Sequence, residues 1–174
     1  MGNKKECRGA VFFDRDGTLN VDKDYLYKVE DFEWLEDAPQ AIRWANEHGL
    51  FVIVVTNQSG VARGYFTEDD VNRLHAWMNE DLQRFGAHID AFYYCPHLPN
   101  GSVDPYAVEC DCRKPKPGLI ERACVDFSID RGKSLLIGDK PRDVECAETA
   151  DVRGVLYEGG SLLALLEREM GDGQ

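Results

Sequence analysis

The sequence predicts an α/β fold, a doubly wound parallel sheet with helices on both faces. Three observations predict it. Short apolar runs alternate with amphipathic segments that are bounded by capping residues and Gly. The run Phe51–Val55 (FVIVV) has no polar position, as a strand buried on both faces requires. Strands that alternate with helices imply right-handed crossovers, which make the strands parallel.

The elements follow in order. Ala10–Phe13 (AVFF) is a short apolar strand. Asp37–His48 (DAPQAIRWANEH) begins on a capping acid, has Pro39 near its first turn and stops at Gly49, so it reads as a helix. Phe51–Val55 is the second strand. Thr67, followed by Glu68, Asp69 and Asp70, opens a helix with acids where its dipole favours them, continuing to about Phe85. Ala91–Tyr94 is a strand and Gly118–Phe127 a helix. Ser134–Ile137 is a strand running into Gly138-Asp139-Lys140, and Val144–Ala150 is helical. Gly154–Tyr157 and Ser161–Met170 supply a last strand and helix. No repeat, low-complexity tract or linker interrupts the order, so residues 1–174 are expected to form a single domain.

Composition narrows the function classes. Hydrophobic content of 43% with 30% charged residues fits a soluble globular chain. No apolar run approaches the ~18–20 residues that span a bilayer. The start, MGNKKECRGA, is too short and polar for a signal peptide. Glu6 stands where a lipidation signal following Gly2 needs Ser or Thr. A cytoplasmic location without a membrane partner is expected, and nothing demands more than a monomer. The formal charge of −12, from 32 acidic and 20 basic residues, repels polyphosphate backbones and argues against nucleic acid. A small phosphorylated substrate remains possible, because a local cluster of cations overrides a distant field. Most of the excess acid serves solubility.

In parallel sheets ligands bind at the carboxyl ends of the strands. Here the first strand ends in Asp14-x-Asp16, the second in Thr56-Asn57 and the fourth in Asp139. Asp14 and Asp16 are close enough to repel and to shift each other's pKa. Hydrolysis of a phosphate monoester gives such a pair a use. The uncatalysed reaction is very slow, and the dianion repels an anionic nucleophile. A divalent cation between carboxylate and phosphate removes that repulsion and fixes in-line attack. Mg2+ takes hard oxygen ligands and keeps several waters, so Asp14 and Asp139 can hold it together with the phosphate. Asp14 can attack phosphorus to form an aspartyl-phosphate, and Asp16 can protonate the leaving sugar oxygen and then activate water.

One long irregular stretch, about Cys95 to Pro117, needs something to hold it. Cys95, His97, Cys110 and Cys112 form C-x-H…C-x-C with twelve residues between the halves. Three thiolates and an imidazole are the set preferred by structural Zn2+, in a closed site with no open position for water. A cytosolic chain disfavours the alternative, disulfides. Cys7, Cys124 and Cys146 read as ordinary small side chains.

Val11–Asn20 (VFFDRDGTLN) resembles the D-x-D-G-T signature of the haloacid dehalogenase superfamily of phosphatases. The match extends to Val55-Thr56-Asn57, Lys114 and Gly138-Asp139. More narrowly, VVTNQSGVARG, YYCPH, CDCRKPKPG and IGDK resemble the D-glycero-D-manno-heptose 1,7-bisphosphate 7-phosphatase family. Together these blocks cover most of Val11 to Ala150. The resemblance implies a Rossmann-like fold without a large cap domain, a zinc loop, and a place in nucleotide-activated heptose and lipopolysaccharide biosynthesis. It implies Asp14 as nucleophile and Asp16 as general acid/base. Asp14, Asp16 (through its backbone carbonyl) and Asp139 would hold magnesium. Thr56 and Lys114 would steady the phosphoryl oxygens, and Arg113, carried by the zinc loop, would read the substrate. Further contacts are implied for Asp22, Lys23, Asp24, Tyr25, Asn57, Gln58, Ser59 and Lys140. The chain departs from the pattern in its short end after Ala150, which holds no catalytic motif.

Duller readings stand beside these. An Asp at a strand end is often a cap or turn former, although Asp139, Thr56 and Lys114 in order weigh against that. Arg113-Lys114 could be a solvated pair, but it directly follows two zinc ligands. Arg63 is either a surface residue or a second anion contact. Asp143 either caps the helix beginning there or supports the metal ligands. His48, His75 and His88 are expected to be surface or structural, and Trp34, Trp44 and Trp77 to be packing. Other functions in view are histidinol-phosphate hydrolysis by the same machinery and a catalytically silent, zinc-stabilised phosphosugar-binding module. A DNA 3′-phosphatase is disfavoured by the net charge. A small sugar bisphosphate is the expected substrate, with Arg113 reading the phosphate that is not cleaved.

Overall fold

A computed structural model describes residues 7–171, so the leading MGNKKE, with its Gly2 and Glu6, lies outside the described residues. Five parallel strands form one sheet in the order β3-β2-β1-β4-β5. They are β1 (Ala10–Phe13), β2 (Phe51–Asn57), β3 (Ala91–Cys95), β4 (Leu135–Gly138) and β5 (Arg153–Leu156). The helices are α1 (Ala38–Glu47), α2 (Glu68–Leu82), α3 (Gly118–Phe127), α4 (Pro141–Thr149) and α5 (Leu162–Gly171).

Period-two alternation in the strands sorts the core into two layers. Val11, Phe13, Val52, Val54, Leu135 and Ile137 pack under α1, α2 and α5 through Ile42, Met78 and Leu166. Ala10, Phe12, Ile53, Val55 and Leu136 meet α3 and α4 through Ile120 and Ala147. Both faces are thus covered, as a sheet of apolar parallel strands demands. Full burial of each Phe of β1 contributes about 1.5–3 kcal/mol. The register pairs Phe13 with Val54 and with Ile137. The three central strands therefore deliver Asp14, Thr56 and Asp139 to one edge.

Several boundaries differ from the sequence expectation, each for a local reason. β2 runs on to Asn57 because it stays paired with β3 as far as Cys95. α2 starts with Thr67 and Asp70 capping each other, and gives way to a 3₁₀ turn over Gln83–Phe85. α4 begins at Pro141, whose fixed φ suits a first turn, with the Asp143 carboxylate accepting from the Lys140 amide at 3.0 Å. Asp37 does not cap its own helix. Its carboxylate instead accepts from the amides of Leu162 (2.9 Å) and Leu163 (3.2 Å) and from the Ser161 hydroxyl. It thereby caps α5 and ties it to α1.

The stretch between β3 and α3 forms no helix or strand. It is docked on the segment after β2, where Ala62 O accepts from the amides of Ser102 (2.8 Å) and Val103 (3.0 Å). Tyr94 and Tyr106 both donate to the Glu68 carboxylate, at 2.8 and 2.7 Å. The three tryptophans are half-buried. Cys7 is exposed, while Cys124 and Cys146 pack in the core. Among the described residues no helix is long and apolar enough to cross a membrane.

His48 and His88 are exposed, but His75 of α2 is buried, stacked on Phe92 with 4.4 Å between ring centroids. Burial, reinforced by the charge of Arg15, holds its pKa well below 6.5. The unfolded chain then gains a proton near pH 6.5 that the folded chain refuses. The corresponding stability is present above about pH 6.5 and is lost as the pH falls. His75→Gln keeps an acceptor for Arg15 and does not titrate. Urea unfolding at pH 7 and pH 5 should show the wild type losing more stability than this variant, by up to ~1.4 kcal/mol per pH unit. Equal losses would contradict a neutral buried imidazole.

Candidate active site

The strand ends open into a cavity of about 330 Å³. Its floor is Asp14, aligned by its amide's hydrogen bond to Ile137 O (3.0 Å). The Lys114 ammonium, fully buried, donates to Asp14 Oδ1 (2.8 Å), Asp143 Oδ1 (2.6 Å) and Val55 O (2.9 Å), which uses all three of its protons. Burial works against the Lys114 charge, but Asp14 and Asp143 outweigh it and keep the amine above its ordinary range. Burial also pushes the Asp14 carboxyl up to about 7 against the pull of Lys114, with Asp143 adding to the rise. Asn57 holds Lys114 in place by a reciprocal pair: its Oδ1 accepts from the Lys114 amide (3.0 Å) and its Nδ2 donates to Lys114 O (3.2 Å).

Asp16 sits in the cavity wall among donors. Arg15 donates to it from Nε (3.2 Å) and Nη2 (3.0 Å), Asn20 Nδ2 donates at 3.0 Å and Gln58 Nε2 at 3.1 Å. Burial raises the Asp16 pKa, but Arg15, Asn20 and Gln58 together bring it below the usual value. Gln58 Nε2 also donates to Thr56 Oγ1 at 2.9 Å. The contact from Thr56 Oγ1 to Asn57 O, at 3.5 Å, is too long to occupy the hydroxyl proton. That proton is left for a ligand.

The donor set fits a hard divalent cation. Carboxylate oxygens of Asp14, Asp139 and Asp143 lie within 4.8 Å of one another. Lys114 pairs with Asp14 and Asp143, and the half-exposed Lys140 ammonium lies 3.5 Å from Asp139 Oδ2, but Asp139 Oδ1 is buried with no partner. Gly17 has φ +84°, and a Cβ there would collide with Asp139 Oδ2, so only Gly closes this cradle.

A second cluster lies in the irregular loop. Cys95 Sγ is 3.6 Å from Cys110 Sγ and 3.5 Å from His97 Nδ1, while Cys112 Sγ is 3.4 Å from the same nitrogen. Ligand bonds of ~2.0–2.3 Å give tetrahedral edges of roughly 3.4–3.8 Å, so the four atoms fit one soft tetrahedral ion. A disulfide would bring sulfurs to ~2.05 Å, and all these cysteines are free. Cys112 is held below the usual thiol range by hydrogen bonds from Cys95 and His97, and Cys95 is pushed up by its hydrogen bond to Cys112.

Asp14, Asp16, Asp22, Asp24, Tyr25, Thr56, Asn57, Gln58, Ser59, Arg113, Lys114, Asp139 and Lys140 all line the one cavity. Lys23 does not line it. Its ammonium turns away to Asp31 O (2.8 Å) and Glu33 (3.3 Å) because the chain reverses through Asp24 and Tyr25, both with positive φ. Arg63 is on the cavity side, with its guanidinium 5.5 Å from the Tyr25 ring centroid. Asp143 caps α4, the first of the two roles weighed for it, and also pairs with Lys114. Sequence reasoning missed Arg15 and the cavity-lining Arg142. Arg15 carried one signal: a charged side chain between Asp14 and Asp16 points to the opposite side of the strand end and must find a partner in the core.

Comparison with known proteins places this architecture. A HAD-hydrolase-like family model matches residues 111–169. The D-glycero-beta-D-manno-heptose-1,7-bisphosphate 7-phosphatase of Haemophilus ducreyi is 45% identical over 154 residues, spanning 88% of this chain and 81% of that protein. The enzyme of the same name from Rhodopseudomonas palustris is 44% identical over 152 residues, 87% of this chain and 84% of that one. The crystal structure of D,D-heptose 1,7-bisphosphate phosphatase from B. bronchiseptica, complexed with magnesium and phosphate, superimposes with a TM-score of 0.78 at 29% identity, covering 95% of this chain and 99% of that chain. With its doubly wound sheet, its acid-lined strand ends and relatives matched over most of both chains, this chain belongs to the D-glycero-D-manno-heptose 1,7-bisphosphate 7-phosphatase family of haloacid dehalogenase-like phosphatases.

Proposed function

We propose that this chain removes the C7 phosphate of D-glycero-D-manno-heptose 1,7-bisphosphate, with Asp14 as nucleophile. The observation that carries the reading is the pairing of buried Asp14 with Lys114 beside the unpartnered oxygen of Asp139. When magnesium is held by Asp14, the Asp16 backbone carbonyl and Asp139, it supplies a Lewis acid that offsets the charge between carboxylate and phosphate.

Asp14 Oδ attacks phosphorus as the P–O bond to C7 breaks, its electron pair going to the leaving oxygen. Asp16, exchanging one of its four donors for a proton from solvent, gives that proton to the leaving oxygen. Water then attacks phosphorus, Asp16 takes its proton, and the bond from Asp14 Oδ to phosphorus breaks to release phosphate. The free Thr56 hydroxyl proton and the Lys114 ammonium, exchanging one of its present acceptors, steady the phosphoryl oxygens. Asn57 fixes Lys114 for this task. Arg113 reads the far phosphate, which distinguishes a bisphosphate from sugars whose hydroxyls water satisfies equally well. Asp22, Asp24, Tyr25, Ser59 and Lys140 complete the sugar contacts.

Zn2+ fits the Cys95-His97-Cys110-Cys112 cluster and acts structurally, because its four protein ligands leave no open position. It braces the stretch that ends in Arg113 and Lys114.

A phosphate-release panel with both heptose bisphosphate anomers, fructose 1,6-bisphosphate and histidinol phosphate tests the reading, with and without magnesium. Magnesium-dependent release should be fastest from a heptose bisphosphate, and Asp14→Asn should lower it at least ~1,000-fold. Arg113→Ala should cost about 10–100-fold in kcat/KM with the bisphosphate and far less with a monophosphate. Preference for histidinol phosphate, or equal losses in Arg113→Ala, would refute it. Atomic emission of protein purified without added metal should give one zinc per chain. In Cys110→Ser the zinc should be lost and the melting temperature lowered; full zinc content in that variant would contradict the cluster.

A further inference from the structure

We propose that Arg15 is a positioning residue for this reaction, fixing the Asp16 carboxylate in one orientation at the cavity wall from inside the core. The proposal rests on the reading of Asp16 as the acid–base group.

Arg15 has no solvent exposure and is among the largest fully buried side chains of the molecule. One edge of its guanidinium grips both oxygens of Asp16, through Nε and Nη2. The remaining donors are anchored on three other segments. The second proton of Nη2 is shared between Leu26 O (2.9 Å) and Gln58 Oε1 (3.2 Å), and Nη1 donates to His75 Nε2 (3.1 Å) of α2. Arginine cannot lose its proton, so Nε2 of His75 must accept and the imidazole proton must sit on Nδ1. Nδ1 is buried without a partner. An apolar side chain in the place of Arg15 would fill the space without the desolvation cost of a buried cation. What Arg supplies instead is a planar fork with fixed geometry.

The anchors themselves belong to the cavity. Gln58 holds Arg15 with its oxygen while its nitrogen reaches Asp16 and Thr56. Leu26 O follows directly on the Asp24-Tyr25 turn, where both residues have positive φ (48° and 60°). Arg15 thus ties Asp16 to the segment that lines the cavity mouth and to the end of β2. Proton transfer to the leaving oxygen then starts from a preset geometry.

The test compares kcat/KM for an alkyl phosphate, the heptose bisphosphate, with that for p-nitrophenyl phosphate, whose leaving group departs without a proton. Arg15→Lys keeps the charge and loses the fork. It should lower kcat/KM about 10–100-fold on the alkyl ester and only a few-fold on the aryl ester. Asp16→Asn should show the same selectivity, and adding Arg15→Lys to it should cost nothing further. Equal losses on both esters, or additive losses in the double variant, would overturn the proposal. Absence of selectivity in Asp16→Asn itself would remove the acid–base reading and the proposal with it. Selectivity in Asp16→Asn but not in Arg15→Lys would overturn the proposal alone. If Arg15→Lys fails to fold, His75→Phe, which keeps the stacking on Phe92 and removes the Nη1 acceptor, should show the same selectivity at smaller size. Equal losses there would be equally fatal.

Discussion

A single buried ammonium organises this molecule. Lys114 stands between Asp14 and Asp143, two carboxylates that would otherwise repel each other beneath the cavity. Removing one partner of such a buried group typically costs 3–5 kcal/mol, because a charge is left uncompensated. The contacts reach across the whole architecture. Asp14 comes from the end of β1, Asp143 from the first turn of α4, and Lys114 from the segment after the last cysteine of the loop. The sheet register, the short first turn of α4 and the loop's anchorage must all be right before the three groups can meet.

The same constraint explains why the site wants a further cation. Lys114 has no proton left for Asp139, whose Oδ1 is buried and unpartnered. Close approach at two glycines builds the shell around it. Gly17 turns the chain over Asp139, and Gly138 leaves the room that Asp143 occupies. The Cys95–Cys112 loop adjoins these acids on one side, through Lys114, and the buried Arg15 guanidinium on the other, through Asp16. The acidic overall charge is compatible with this, because Arg63, Arg113, Lys140 and Arg142 gather at the mouth.

Most of the fold was legible because the central strands β1, β2 and β4 are apolar on both sides and helices such as α1, α2 and α4 open on a Pro or a capping residue. The main site was legible because Asp14, Thr56 and Asp139 end strands, and strand ends of a parallel sheet share one edge. What escaped depended on long-range partners or on backbone reversals without a glycine. Asp37 looks like the cap of α1, yet its partners are Leu162 and Leu163, far along the chain. Lys23 sits among cavity residues in sequence, but the positive φ values at Asp24 and Tyr25 turn it outward, and nothing in those residue types announces them. Arg15 stands just past the end of β1 as a charge that needs a partner. Which acid it would grip was not legible, since that follows from the turn at Gly17 and from anchors on α2 and Gln58.

The central claim is that Asp14 and Asp139 share one hard cation. Crystals soaked in Mn2+ and measured at a wavelength where manganese scatters anomalously test it most directly. One anomalous peak coordinated by both carboxylates is predicted. A peak bound elsewhere, or none at a saturating concentration of the ion, would contradict the account.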